Sequence, residues 1–391
     1  LLKQLLLLVF LLNFSLGFSQ RSIGEDAEIS VITIGPGTLL YDSFGHSAFR
    51  VKDPSNGTDM VFNYGTFDFD TPNFYIKFAR GKLPYALSVR DYNSFIATYK
   101  RQKRWVKEQR LNLTYEEKAT MFEYLINNAQ PEKKEYQYDF FYDNCATKMR
   151  DVVYTVLNYK LVHNKEYVTT PYTFRELIQQ RLQWNTWGSL GIDIALGAVI
   201  DRAATPTEHQ FLPEYIFKAA AVAEINREGT FVPLVKQIAT TYDVASPEKK
   251  SSFITSPFFV FCLIAIFIFY ITCKDITLKK RTRWLDSALF LITGLVGILL
   301  LTLWLGTDHT ATANNYNVLW AFPLNLFFFV LIHKVKPKTW LYRYVFFLIL
   351  LFALLTFHWI SGVQIFAIAL LPFLFALAFR WVYLALELKG K

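Results

Sequence analysis

The chain has 391 residues, 53% of them hydrophobic, with a formal net charge of +9 and three cysteines. That length divides into one soluble domain of ordinary size and one helical membrane domain. The positive charge sits largely in loops between apolar runs, which argues against nucleic-acid binding, and Cys145 has no obvious disulfide partner in Cys262 or Cys273.

Residues 1–19 place Lys3 ahead of an apolar core and end on the small residues Gly17 and Ser19, the shape of a secretory signal peptide. Residues 20–250 then form a mixed outer domain rich in Tyr, Phe and charge. Glu28 to Ile34 alternate as a strand that Gly35-Pro36-Gly37 breaks. His46 to Lys52 and Val61 to Phe69 read as two strands joined by the turn Asp53-Pro54-Ser55-Asn56-Gly57. Tyr85 to Asp91 and Arg104 to Leu113 are further strands with a helix between them. The basic cluster Lys100, Arg101, Lys103 and Arg104 reads as a solvated face, with anionic headgroups as the alternative partner.

Thr114 and Glu117 make a capping box that opens a helix over Tyr115 to Asn127. Tyr136 to Tyr142 is extended and delivers the chain to Cys145, just ahead of an amphipathic helix over Lys148 to Leu157. Tyr172 to Lys236 reads as mostly helical and carries no interpretable motif. The outer domain is therefore expected to be α+β, an antiparallel sheet with the cysteine helix packed on it.

Residues 251–391 contain apolar runs at roughly 257–273, 285–305, 318–333, 341–358 and 362–386, five candidate spans of which the third is short. Lys274 to Arg283, Lys334 to Arg343 and the end of the chain are basic, whereas Gly306 to Asn317 and His358 to Gly362 hold no Lys or Arg. By the positive-inside rule the basic loops are cytoplasmic and the whole soluble domain lies outside.

Cys145 at a helix N-terminus is favoured as thiolate, and a nucleophilic thiolate needs a general base and an orienting partner. Of the six histidines, His46 heads a strand directly after Gly45, which makes it the best base. Asn63 and Tyr64 stand in the next strand, and Asn63 would find its partner by orienting an imidazole. No His/Cys/Asp/Glu set has metal-ligand spacing, and no Gly-x-Ser-x-Gly is present; no metal or cofactor is expected. Asp308 and His309, in the polar loop Thr307 to Asn317, read either as a substrate-headgroup site or as an interfacial loop.

A sheet histidine ahead of a helix-start cysteine resembles the circularly permuted branch of the papain-like NlpC superfamily. More closely, Gly45-His46-Ser47-Ala48-Phe49-Arg50-Val51, Phe62-Asn63-Tyr64-Gly65, Asp143-Asn144-Cys145 and Thr307-Asp308-His309 with Asn314 and Trp320 resemble the Lnb family, lipoprotein N-acyltransferases of Bacteroidota. The resemblance extends over nearly the whole chain. It implies a permuted papain-like periplasmic domain on a five-helix transmembrane domain in the inner membrane. It also implies Cys145 and His46 as catalytic residues, with Asn63 chosen over Tyr64 as the third; Tyr64, Asp308 and His309 are the candidate substrate contacts. The implied partners are a phospholipid acyl donor and a diacylated lipoprotein acceptor. A tethered cysteine peptidase or amidase acting on cell-wall peptides would use the same dyad, and a receptor or scaffold would hold both residues structurally.

Overall fold

The computed structural model describes residues 23–246 and 252–389; the signal-peptide reading of residues 1–19 lies outside them. The outer domain is built on a seven-stranded antiparallel sheet. Its strands are β1 (Glu28–Ile34), β2 (His46–Asp53), β3 (Thr58–Thr66), β4 (Pro84–Asp91), β5 (Val106–Leu111), β6 (Glu135–Gln137) and, from far downstream, β10 (Val235–Tyr242), in the order β10-β5-β1-β2-β3-β4-β6. Helices α1 (Phe74–Ala79), α2 (Tyr92–Arg101), α3 (Tyr115–Asn128) and α4 (Cys145–Leu157) connect or cover these strands. Further on come β7 (Leu161–Val162), α5 (Phe174–Gln179), α6 (Trp187–Ala195), α7 (Pro206–His209), α8 (Pro213–Val222), β8 (Glu224–Arg227) and β9 (Thr230–Pro233).

Strand alternation explains why both faces of the sheet are covered. Phe49, Val51, Phe62 and Tyr64 point to one side and bury against Met149, Val152 and Val153 of α4 and Met121 and Leu125 of α3. Ala48 and Val61 point to the other and meet Tyr92, Phe95 and Ile96 of α2. Each fully buried large side chain contributes about 1.5–3 kcal/mol of transfer free energy, so the two central strands that carry His46 and Asn63 are held by burial on both faces.

Three expectations are corrected here. The stretch Tyr172 to Lys236 is not helical to its end: β8 and β9 form a three-stranded sheet with β7, and β10 begins at Val235 and pairs with β5. The extended reading of Tyr136 to Tyr142 fails after Gln137, because Asp139 and Asp143 close a turn through paired backbone hydrogen bonds of 3.2 and 3.0 Å. Arg104 leaves the solvated basic face: it is 4% exposed, donates to Gly35 O at 2.7 Å and lies over the Tyr99 ring, while Lys100, Arg101 and Lys103 stay exposed.

In the second half, α9 (Pro257–Leu278), α10 (Arg283–Leu305), α12 (Trp340–Ile360) and α13 (Leu371–Lys389), the last preceded by a short 3₁₀ turn, give four helices long and apolar enough to span a membrane. The expected third span is broken. It consists of a 3₁₀ turn (Tyr316–Leu319), a turn at Pro323 and Leu324 and the short helix α11 (Asn325–His333). The segment nonetheless runs antiparallel to α10 along its length. Thr312 bonds Leu303 O, Ala321 and Leu326 close on Gly297 and Gly294, Phe329 O accepts from Ser287, and Ile332 O accepts from Arg281. A side chain at either glycine would collide with backbone there, so those two positions admit the unwound chain. Its polar groups are satisfied internally, as non-helical backbone at membrane depth requires: Asn317 accepts from Trp320 Nε1 at 2.9 Å, and Asn325 bridges Thr293 and Tyr344.

Four buried charges tie the turn between α9 and α10 to α13. Arg380 donates to Asp286 at 2.7 Å and to Asp275 at 2.8 Å, and Arg281 donates to the other oxygen of Asp286 at 2.7 Å. Two arginines against two aspartates leave no net charge in a region where an unpaired one is costly.

The two halves are joined by the region in which the sequence showed no motif. Leu190 of α6 is buried in the membrane domain's own core. Asn315 and Asn317 donate to the carbonyls of Asp193, Ile194 and Ala195 at 2.8–3.2 Å. Arg175, 1% exposed, holds this end of α6 through Asp193, Asp201 and the carbonyls of Leu196 and Gly197.

Candidate active site

Asn144 starts the cysteine helix. Its Oδ1 accepts from the backbone N–H groups of Ala146 and Thr147 at 2.8 and 2.9 Å, and its amide donates to the carbonyls of Phe140 and Phe211 at 2.7 and 2.8 Å. Every hydrogen-bonding direction of this side chain is thus used, and Cys145 is fixed as the first residue of α4. The helix covers the sheet face opposite His46. Its N-terminus therefore meets the histidine around the sheet end, at Gly65. That glycine has φ +83°, and a Cβ built on it would lie 3.5 Å from Cys145 Cβ and 3.8 Å from the Tyr138 ring.

His46 and Asn63 share the α2 face, as their positions next to the paired residues Ala48 and Val61 dictate. His46 Nε2 and Asn63 Oδ1 are 2.5 Å apart, which leaves Nδ1 for the hydrogen bond with Cys145. Asn63 can only accept through Oδ1, so Nε2 carries a proton. The structure therefore brings Cys145, His46 and Asn63 into one chain of contacts. The other face of the imidazole is lined by Tyr99, nearly parallel at a centroid distance of 6.2 Å, and Tyr99 is backed in turn by Arg104.

The electrostatics shift both groups toward their charged forms. Burial alone pushes the Cys145 thiol up, but His46 beside it, its hydrogen bond and the backbone N–H groups of Ser47 and Ala146 outweigh burial and hold the thiol below its ordinary value. For His46, burial works against the charged form, and the charge and hydrogen bond of Cys145 together with Asn63 overcome it, so the imidazole is raised. Arg104 opposes that rise. Burial first, then the Cys145 charge, pushes the Tyr138 phenol well up and keeps it neutral. Two backbone N–H groups on the sulfur also mark a spot where negative charge is stabilised.

Tyr64 is placed elsewhere. It is 1% exposed on the α4 face, its ring edge-on to Tyr136. Asp308 and His309 grip the segment after α1: His309 Nε2 bonds Phe78 O at 3.0 Å, the Asp308 N–H donates to Arg80 O at 2.9 Å, and Asp308 faces Lys82 and Gln137. Thr310 next to them donates to Asp139 at 2.7 Å. Sequence reasoning quoted Asn144 and Ser47 only as motif members and Arg104 only as part of a basic face, and it gave none of them, nor Tyr99, a role in the site. Of these only Asn144, a cap residue beside a candidate nucleophile, left a local signal. No group of three or more His, Cys, Asp or Glu among the described residues could hold a metal ion.

A thiol, an imidazole and an amide lie in series on an α+β domain, which is held against a helical domain with four helices of membrane-spanning length. The Lnb N-terminal periplasmic domain matches residues 18–180, and the Lnb transmembrane domain matches residues 248–391. The chain belongs to the Lnb family, whose role is of the lipoprotein N-acyltransferase type. It is a membrane protein with an extracytoplasmic, periplasmic domain. No curated protein and no solved structure matches it.

Proposed function

We propose that this chain moves a fatty acyl group from a membrane phospholipid to the α-amino group of a lipoprotein's diacylglyceryl-cysteine. The reaction takes place at the periplasmic face of the bacterial inner membrane. The observation that carries this reading is the Cys145–His46–Asn63 series, held next to the outer loop of the membrane domain through Asp139 and Thr310. In the first step the Cys145 thiolate attacks the phospholipid ester carbonyl. A C–S bond forms, the C–O bond breaks, and the departing lysophospholipid alkoxide takes the proton from the His46 imidazolium. In the second step the neutral amine attacks the thioester. A C–N bond forms, the C–S bond breaks, His46 takes the amine proton, and the thiolate returns.

Sulfur suits both steps, because a thioester carbonyl is poorly stabilised by the sulfur lone pair and yields to an amine more readily than an oxygen ester. Asn63 orients the imidazole, and the Ser47 and Ala146 N–H groups favour anionic sulfur as the leaving group. The cell-wall peptidase reading has no feature that calls for a docked multi-helix membrane domain, whereas two lipid substrates in one leaflet do. Mass spectrometry of a lipoprotein N-terminus from cells with and without this gene tests the proposal. One amide-linked acyl chain should be present with the gene and absent without it; an identical mass in both strains refutes it.

A further inference from the structure

A cluster of exposed apolar side chains lies in and just ahead of α1 on the outer domain. Phe69, Tyr75, Ile76 and Phe78 are 69%, 80%, 60% and 53% exposed, and α1 buries none of its residues. Left in water, such a patch is an unpaid liability for a soluble domain. Its height relative to the membrane is fixed by contacts already described: Phe78 O and Arg80 O are hydrogen-bonded to His309 and Asp308, which follow directly on the end of α10 at Leu305. A side chain at Gly81 would press on His309. The segment is thus anchored at the outer mouth of a membrane-spanning helix. Lys77, Arg80 and Lys82 flank the apolar residues, as in interfacial segments whose cations reach phosphate headgroups; Asp68 and Asp70 stand at its start.

From this patch a run of aromatic rings leads to the site. Phe69 and Phe67 are 5.1 Å apart, Phe67 and Tyr85 5.3 Å, and Tyr85 stacks on Tyr138 at 4.2 Å. Tyr138 and Cys145 meet at Gly65. We propose that residues 67–78 insert into the outer leaflet as a wedge, and that the Phe67–Tyr85–Tyr138 run is the surface along which a phospholipid acyl ester slides from the leaflet to Cys145. The second half of this proposal rests on the acyltransfer reading; the first does not.

The test uses full-length protein in nanodiscs of phosphatidylethanolamine and phosphatidylglycerol. An environment-sensitive fluorophore is attached to Tyr75→Cys in a background of Cys145→Ala, Cys262→Ala and Cys273→Ala, and lipids carrying a nitroxide on the acyl chain are added. Position 75 should lose emission about twofold or more, while the same label at Asn56→Cys, in the turn at the opposite end of β2 and β3, should not. A label at 75 that stays as bright as that at 56, or dims only when a lipopeptide is added, overturns the wedge and makes the patch a protein-docking surface. In the otherwise native chain, Tyr75→Asp with Ile76→Asp should slow acylation of Cys145 by bilayer phospholipid about tenfold, the cost of placing charge at the interface. Iodoacetamide labelling of Cys145 reports that the site remains assembled. Acylation at the wild-type rate in that variant overturns the acyl path, whereas absence of acylation in the wild type removes the acyltransfer reading and leaves the insertion result standing.

Discussion

Asp139 accepts a hydrogen bond from Thr310 at 2.7 Å, linking the turn that leads into Cys145 to the loop between two membrane elements 171 residues away in sequence. The same carboxylate accepts from the backbone N–H groups of Phe141 and Tyr142 at 2.8 and 3.0 Å. One side chain thus shapes the approach to the thiol and docks it to the membrane domain. Thr310→Val removes a single solvent-exposed hydrogen bond, about 0.5–1.5 kcal/mol, and should lower activity while the protein accumulates normally. Asp139→Ala also releases the turn and should lower activity further. Lipoprotein N-acylation in cells, scaled to protein abundance, measures both.

Cys145→Ser and His46→Ala should each abolish activity, and the double variant should be scarcely worse than either, because residues acting as one unit are not additive. Asn63→Ala leaves both reacting groups in place but frees the imidazole, so its loss should be smaller. Wild-type activity in a folded Cys145→Ala protein contradicts the thiol mechanism.

The perturbed pair gives a pH signature. Alkylation by iodoacetamide follows the thiolate, so in the wild type its rate should keep its high value as pH falls below the ordinary cysteine value of about 8.5. In His46→Ala the positive partner is lost while burial still disfavours the anion, and the inflection should move upward. An unmoved inflection contradicts the mutual shift of the two groups.

How much of this was legible in the sequence differs by region for physical reasons. Cys145, His46 and Asn63 could be picked out because each is an anomaly in a regular element: a thiol at a capped helix start, and polar residues in β-rich strands. Tyr99 and Arg104 could not, since a basic run at the end of a helix reads as solvated, and the Gly35 carbonyl that takes in its last member lies 69 residues away in sequence. The strands β8 and β9, four residues each, are too short for alternation to register. The break in the third span follows from backbone contact with Gly294 and Gly297, a relationship between segments that neither hydropathy profile contains.

In the membrane domain, Arg380→Leu should strand Asp286 and Asp275 without their shared partner. Removing one member of such a buried network costs about 3–5 kcal/mol, so the variant should fail to accumulate, as read by immunoblot of membranes and by thermal unfolding in detergent. Arg380→Lys keeps the charge but loses the forked geometry and should fall between the two.

The most direct measurement is the mass of the purified protein after incubation with phospholipid alone. A single hydroxylamine-sensitive fatty acyl group should appear on Cys145 with release of lysophospholipid, and a diacylated lipopeptide with a free α-amino group should then discharge it into an amide, whereas a blocked lipopeptide should leave the protein charged. A protein that acquires no acyl group under these conditions, yet cleaves a cell-wall peptide in a Cys145-dependent manner, would contradict the account.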